Sequence, residues 1–285
     1  MHVPRGVLTS RTSGYGIATS QLLSGLRIAV TRPRSGPGED RLAALLSERG
    51  ATAIHLATTR AAPASDSDPL AEAARRIGDY DWLIVTSGRA VPPLMEALSR
   101  AGVAPEDVRS GGVCLCAVGP RTGEALSVAG LSPDLVPDRF DSEGVIRALL
   151  EGAAVEGRRV LFPRVEEGRD VIPTELAAAG ATVDVVPAYR IVGDPEESAR
   201  LAELVGAGGV DALTFTAGSA ARSFAEAWEG RGPLPEGLGV VALGPATAEV
   251  LREVGLPAHR IADLYTLVGL VEALEQWARG RGEAR

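Results

Sequence analysis

Lysine is missing altogether from these 285 residues, so all 29 basic side chains are arginine. This excludes a Schiff-base lysine, a lysine general base and the phosphate-gripping lysine of a P-loop. Cysteine is almost missing: Cys114 and Cys116 stand alone in GVCLCAVG. Alternate residues of a strand are poorly placed to bridge each other, and two thiolates with no nearby histidine or further cysteine do not make a zinc site. They read as two small hydrophobes on a strand, and such sparse cysteine suits a reducing compartment. Positive charge is in deficit: 37 acidic residues give a net charge of −8. That argues against a nucleic-acid or anionic-membrane partner, while leaving room for a local basic pocket. Long apolar runs are lacking too. No stretch reaches the 18 residues of a membrane span, and the first 25 residues have no signal-peptide core, so a cytoplasmic chain is expected.

What is present is enough apolar material for two domains. Apolar residues make up 45% of the chain, the mean hydropathy is +0.10, and this length divides naturally into two units of about 100–150 residues. Residues 1–25 read as a mobile polar extension; Gly14-Tyr15-Gly16 lacks the preceding strand and third glycine of a dinucleotide fingerprint.

The rest repeats itself. LRIAVTRPRSGPGEDRLAALLSERGATAIHLATTR (26–60) resembles RRVLFPRVEEGRDVIPTELAAAGATVDVVPAYR (158–190), with Asp40 matching Asp170, Gly50 matching Gly180 and Arg60 matching Arg190. DYDWLIVTSGRAV (79–91) resembles GVDALTFTAGSAA (209–221), and CAVGPRTGEALSVAGL (116–131) resembles VALGPATAEVLREVGL (241–256). Val136 to Leu150 align on Ile261 to Glu275. Two copies of one unit therefore fill residues 26–275.

Each unit alternates short apolar runs with helical patterns. Ile28–Thr31, Trp82–Thr86, Val113–Val118, Leu213–Thr216 and Val240–Leu243 have the unbroken apolar character of buried parallel strands. Asp40–Arg49 places Leu42, Leu45 and Leu46 on one helical face, and Gly50 stops it. Asp40 and Asp170 each precede a helix and are expected to cap it. The fold class is α/β: two similar doubly wound parallel sheets, covered by helices on both faces.

Ligands of such sheets gather at the carboxyl ends of the strands. The loops there are Thr31-Arg32-Pro33, Thr86-Ser87-Gly88, Gly119-Pro120-Arg121-Thr122, Pro163-Arg164, Thr216-Ala217-Gly218-Ser219 and Gly244-Pro245-Ala246-Thr247. Small and hydroxylated residues leave backbone N–H groups open at helix N-termini, where anions are stabilised. Plain helix capping is the better account of any one of these loops taken alone, and their paired recurrence weakens it only in part, because duplication copies caps as readily as sites.

In their order, AVTRP, TSGRAV, AVGPRT, FDSEGV, LFPR, AYR and ALGPATAEVL resemble the uroporphyrinogen-III synthase family over residues 26–275. The resemblance implies a cofactor-free, metal-free lyase of tetrapyrrole biosynthesis. Its substrate would be hydroxymethylbilane, a linear tetrapyrrole with eight carboxylates. Loss of the terminal hydroxyl as water gives an azafulvene on ring A, which ring D attacks through its substituted carbon. The resulting spirocycle fragments and recombines with ring D inverted. Uncatalysed closure gives the uninverted isomer, so control of conformation is the central task. A monomer is expected, with transient contact with hydroxymethylbilane synthase and no nucleic acid or membrane.

The resemblance also redraws the domains. Residues 26–57 with 191–278 would form one discontinuous domain and 63–186 the other, joined by antiparallel linker strands at 58–62 and 187–190. It assigns Tyr189 the protonation of the leaving hydroxyl, with Thr122 and Thr247 at the cleft. An interface tyrosine with a satisfied hydroxyl is the alternative. Ser87, Thr216 and Ser219 match carboxylate-binding positions, with Thr31, Gly88, Gly119, Gly218 and Gly244 supplying backbone. Arg32 and Arg164 occupy equivalent places and either pair with carboxylates or remain solvated strand-end charges. Ala217 stands where many relatives have serine, and His2, His55 and His259 match no catalytic position. A two-lobed ligand sensor and a non-catalytic family member are the rival readings.

Overall fold

The computed structural model describes residues 22–33, 40–152 and 155–283. The chain runs β1 (Arg27–Val30), α1 (Arg41–Ser47), β2 (Thr52–His55), β3 (Thr59–Pro63), α2 (Asp68–Arg75), β4 (Trp82–Val85), α3 (Val91–Arg100), α4 (Pro105–Ser110), β5 (Cys114–Ala117), α5 (Pro120–Val128) and α6 (Ser142–Gly152). It continues through β6 (Arg159–Val165), α7 (Val171–Ala178), β7 (Thr182–Gly193), α8 (Pro195–Gly206), β8 (Ala212–Phe215), α9 (Gly218–Trp228), β9 (Gly239–Ala242), α10 (Pro245–Glu253), β10 (Arg260–Ile261) and α11 (Leu267–Glu283).

Two five-stranded sheets result, ordered β2-β1-β8-β9-β10 and β3-β7-β6-β4-β5. The first is parallel throughout and reads 2-1-3-4-5 in chain order, the doubly wound pattern of a flavodoxin-like sheet. The second repeats that pattern with the copies exchanged. β6 and β7 of the second copy take the places of β1 and β2, and β4 and β5 of the first copy take those of β8 and β9. The registers agree: Ile28 pairs Ala212, which pairs Gly239, just as Val160 pairs Trp82, which pairs Cys114. A parallel bridge from Cys116 to Leu135 occupies the fifth position. Each sheet is thus built from both repeats.

Apolar residues on alternating positions fill both faces of each sheet. Ile28 and Val30 join Leu42, Leu46, Leu270 and Leu274 under α1 and α11. Ala29 points the other way, to Phe215, Phe224 and Leu201 under α8 and α9. In the second domain Leu83, Val85, Leu94 and Leu115 form one core, and Ile84, Cys116, Val160 and Phe162 the other. Burial raises the Cys116 thiol to about 12, whereas Cys114 is half-buried.

Among the described strands only β3 breaks the parallel rule. It pairs antiparallel with the end of β7, from Thr59 opposite Gly193 to Pro63 opposite Tyr189. Its base is tied to the first domain. Thr58 Oγ1 donates to the Ala220 carbonyl at 3.0 Å, and the Ser198 hydroxyl donates to the Thr58 carbonyl at 3.4 Å.

Two expectations need correction. Asp40 caps α1, accepting from the Leu42 and Ala43 N–H groups, but Asp170 makes no capping bond and accepts from Arg164 instead. The polar extension is expected to run through residue 25, yet Leu23 is fully buried in the first core. Its polar neighbours hid a single anchor residue. Residues 1–21 of that extension, including Gly14-Tyr15-Gly16 and His2, lie outside the described residues.

Candidate functional site

The carboxyl ends of both sheets carry short turns into helices, and the sequence sets how each turn is capped. Ser87 accepts the Arg89 N–H at 3.3 Å and so closes the 3-10 turn Gly88–Ala90 with its own side chain. Its repeat counterpart Ala217 has no such group, and α9 starts at Gly218 without a side-chain cap. Gly119 and Gly244 stand before α5 and α10, each followed by proline, again without a side-chain cap. Proline suits the first helical position because its missing N–H is not needed there. The next two N–H groups, of Arg121 and Thr122 or of Ala246 and Thr247, point out of the helix start with the positive end of the helix dipole behind them.

Thr122 and Thr247 are both buried. Neither hydroxyl is hydrogen-bonded to another described residue, and neither oxygen is sealed from solvent. Thr31 differs: it is fully buried, and its hydroxyl donates to the Thr214 carbonyl at 2.7 Å, binding β1 to β8. Arg32 is half-buried next to it. Arg164 is drawn into its own loop, donating to the Arg169 carbonyl and pairing with Asp170 at 2.5 Å. Thr216 is half-buried and Ser219 exposed at the start of α9.

In the second domain these turns border a groove of about 840 Å³, lined by Thr86, Ser87, Gly88, Arg89, Arg121 and Thr122 and continuing between α3 and α5. The structure therefore brings Ser87, Gly88 and Thr122 together. It adds two arginines that sequence reasoning did not select, although Arg121 was visible beside Thr122 in AVGPRT. The repeat counterparts of Arg89 and Arg121 are Ser219 and Ala246, so these two positive charges belong to the second domain alone. Thr216, Gly218, Ser219, Gly244 and Thr247 lie at the corresponding end of the first sheet.

Tyr189 sits where β7 leaves its sheet for the ribbon with β3. It pairs with Pro63 on one side and, just past a β-bulge, with Val165 on the other. The ring is buried with the cluster beneath α2 and α3. Its hydroxyl finds no hydrogen-bond partner among the described residues and is not sealed from solvent. The 3-10 turn at Gly88–Ala90 lies against β6 and β7, which puts the Ser87 loop beside the same strands. The described residues hold no cluster of histidine, cysteine and carboxylates able to bind a metal ion. No helix among them is long and apolar enough to cross a membrane.

Residues 40–272 match the family profile described as uroporphyrinogen-III synthase HemD. The chain belongs to the uroporphyrinogen-III synthase family. Uroporphyrinogen-III synthase from Synechococcus elongatus is 33% identical over 276 residues, covering 91% of this chain and 98% of that one. Porphyrin biosynthesis protein HemD from Ruminiclostridium josui is 26% identical over 270 residues, covering 94% of this chain and 52% of its own. The crystal structure of uroporphyrinogen-III synthetase from Helicobacter pylori shares the fold, with a TM-score of 0.51 at 18% identity over 88% of this chain and 98% of that one. Family membership thus accounts for the paired α/β domains.

Proposed function

We propose that this protein closes hydroxymethylbilane to uroporphyrinogen III, as a hydro-lyase of tetrapyrrole biosynthesis. The observation that carries this reading, beside the family itself, is the pair of Gly-Pro-x-Thr helix starts at the carboxyl ends of two like sheets. Each has open N–H donors and an uncommitted, reachable threonine hydroxyl. A chain of net charge −8 does not attract an octacarboxylate by its overall field. Local donors must do so, and N–H groups at helix starts with Arg89 and Arg121 provide them. On this reading residues 26–57 with 191–278 act as one jaw and 63–186 as the other. Residues 58–62 and 187–190 join them, a division supported by the membership of the two sheets.

Chemistry follows from placement. The Tyr189 hydroxyl can donate its proton to the departing hydroxyl as the C–O bond breaks, releasing water and leaving the azafulvenium cation of ring A; the proton shed by the free α-carbon of ring D on final closure restores the phenol. Thr122 and Thr247 hold or relay that water. Ring D attacks through its substituted carbon, the spirocycle reopens, and recombination inverts the ring. The protein's contribution is to hold the chain in the conformation that permits this attack. Arg32 serves as an additional carboxylate contact. Arg164 would have to exchange Asp170 for a substrate carboxylate to do the same.

A coupled assay with porphobilinogen and hydroxymethylbilane synthase tests the function. Isomer III in excess over isomer I is expected. Binding of the bilane with the spontaneous isomer ratio unchanged would make the protein a sensor or a non-catalytic relative.

A further inference from the structure

The structure exposes one aromatic ring at the same place in each domain. Phe140 is 60% exposed and Tyr265 is 65% exposed, and the repeat alignment of 136–150 on 261–275 makes them counterparts. Each ring lies against the glycine that opens a candidate helix. A Cβ on Gly119 would stand 3.1 Å from the Phe140 side chain, and one on Gly244 would stand 3.4 Å from the Tyr265 ring. Both rings therefore border the open N–H groups of α5 and α10.

Their loops are held rigidly in the same way. A Cβ on Gly144 would fall 1.9 Å from the Arg139 carbonyl oxygen, and one on Gly269 would fall 2.1 Å from that of Leu264. Only glycine permits either approach. The Asp141 carboxylate then accepts the Gly144 N–H at 2.8 Å, and the Thr266 hydroxyl accepts the Gly269 N–H at 3.1 Å. Around these fixed points the copies have diverged: Arg139 faces Leu264 in the alignment, Asp141 faces Thr266 and Ser142 faces Leu267. The aromatic ring has persisted in a chain that is only 4% aromatic. Core packing does not require it, since both rings project into solvent.

We infer that Phe140 and Tyr265 are stacking platforms, one per domain, that each hold the face of a pyrrole ring while the adjacent helix start holds that ring's carboxylates. The chemistry is matched: a flat π face beside two amide donors fits a flat heterocycle with acidic substituents. Two such platforms fix two rings of a flexible chain and so bias which conformer closes. This rests on the proposed bilane substrate.

The test uses Phe140→Ala, Tyr265→Ala, the double variant, and the controls Phe140→Tyr, Phe140→Leu and Tyr265→Phe in the full chain. Steady-state cyclisation of freshly generated hydroxymethylbilane gives KM, kcat and the ratio of isomers III and I. Titration with uroporphyrin III gives affinity separately. Each alanine variant is expected to raise KM and Kd about fivefold to a hundredfold, by analogy with aromatic–base stacking, with an unchanged Tm because the rings are exposed. The double variant should also release more isomer I. Phe140→Tyr and Tyr265→Phe should retain wild-type values, whereas Phe140→Leu should not, because bulk alone does not replace a π face. Alanine variants at wild-type KM and Kd, full rescue by leucine, or losses that track a lowered Tm would overturn the assignment. A wild-type protein that makes no isomer III would instead remove the functional reading, and the uroporphyrin III titration would then decide the platforms alone.

Discussion

Threonine shows how much a residue's role depends on partners remote in sequence. Thr31, Thr58 and Thr214 give their hydroxyls to backbone carbonyls of distant strands or helices. Thr122 and Thr247 keep theirs open at helix starts. Thr31→Val should therefore cost about 1–2 kcal/mol of stability, the usual range for a buried carbonyl deprived of its donor, with kcat unchanged in the folded fraction. Thr122→Val should behave in the opposite way, with Tm constant and kcat/KM reduced about tenfold, the scale of one neutral hydrogen bond. Urea unfolding and steady-state kinetics on both variants separate the two; equal losses of stability would show that Thr122 is merely a core residue. Tyr189→Phe retains the ring and its packing but removes the proton donor. A positioned acid contributes roughly 10²–10⁴-fold, and water can replace part of that, so the single-turnover rate should fall about ten- to a thousandfold while product affinity holds. An unchanged rate would pass the acid role to a water held by Thr122 or Thr247. The sequence made Thr31, Thr122, Thr247 and Tyr189 visible as candidates. It did not separate them, because the acceptor of Thr31 lies 183 residues away, and local pattern carries no information at that distance. The same distance effect does not apply to Asp170, which is six residues from Arg164. There a short-range ion pair displaced the cap that its position suggested.

Elements were more legible than residues because their signals are local. The apolar runs mark the strand centres, and observed ends such as Gly239–Ala242 depart from the sequence reading by a residue. The ribbon was less legible. β7 runs unbroken for 12 residues from the core of its sheet into the pairing with β3, so strand and linker are one element, and the polar composition of the linker does not mark where one ends. Side-chain size at equivalent positions was another blind spot. Cys114 opens β5, but its counterpart in β9 is Gly239, where a Cβ would come within 2.5 Å of the Trp277 ring. α11 lies across β9 through that contact. Gly239→Ala should then displace a buried indole and destabilise the first domain by about 1–3 kcal/mol, the usual cost of overpacking. Pairing it with Trp277→Phe should recover part of the loss, since neighbouring sites are not additive. Chemical denaturation of the four proteins of this cycle measures the coupling. Strict additivity would mean that α11 shifts freely and the contact does not fix its position.

At the scale of the whole molecule, the exchange of strands between repeats needs something to hold register between distant segments. Two equivalent aspartates do this. Asp81 accepts the Arg159 N–H at 2.8 Å and pairs with Arg158 at 2.6 Å, while Asp211 accepts the Arg27 N–H at 2.9 Å with Arg27 and Arg281 alongside. Each carboxylate clamps the first residue of a strand from the other copy, across 78 and 184 residues respectively. The sequence aligned DYD with GVD but could not show that each aspartate serves the opposite repeat. Both groups ionise more readily than an ordinary carboxyl. At Asp81 the Arg159 N–H is the main cause, with Arg158 adding to it. At Asp211 burial is the largest influence and works the other way, but the bonds from Arg27 and the charge of Arg281 together outweigh it. A folded-state pKa below the unfolded one adds stability that is present above the unfolded carboxyl range and is lost as pH falls through the folded value. The contribution should therefore persist down to about pH 4 and be lost progressively below it. Asp211→Asn removes the charge while keeping an acceptor of the same shape. It should lower the stability of the first domain at pH 7, with the gap to wild type narrowing as the pH is taken from about 4 towards 3; Asp81→Asn should do the same for the second. The tryptophans report each domain separately, with Trp228 and Trp277 in the first and Trp82 in the second. Denaturant melts followed by fluorescence, with Trp82→Phe and Trp228→Phe/Trp277→Phe backgrounds to isolate each signal, give the gap at both pH values. A gap that stays constant from pH 7 to pH 3 would show that charge plays no part in the clamps and that acceptor geometry alone holds the exchanged strands.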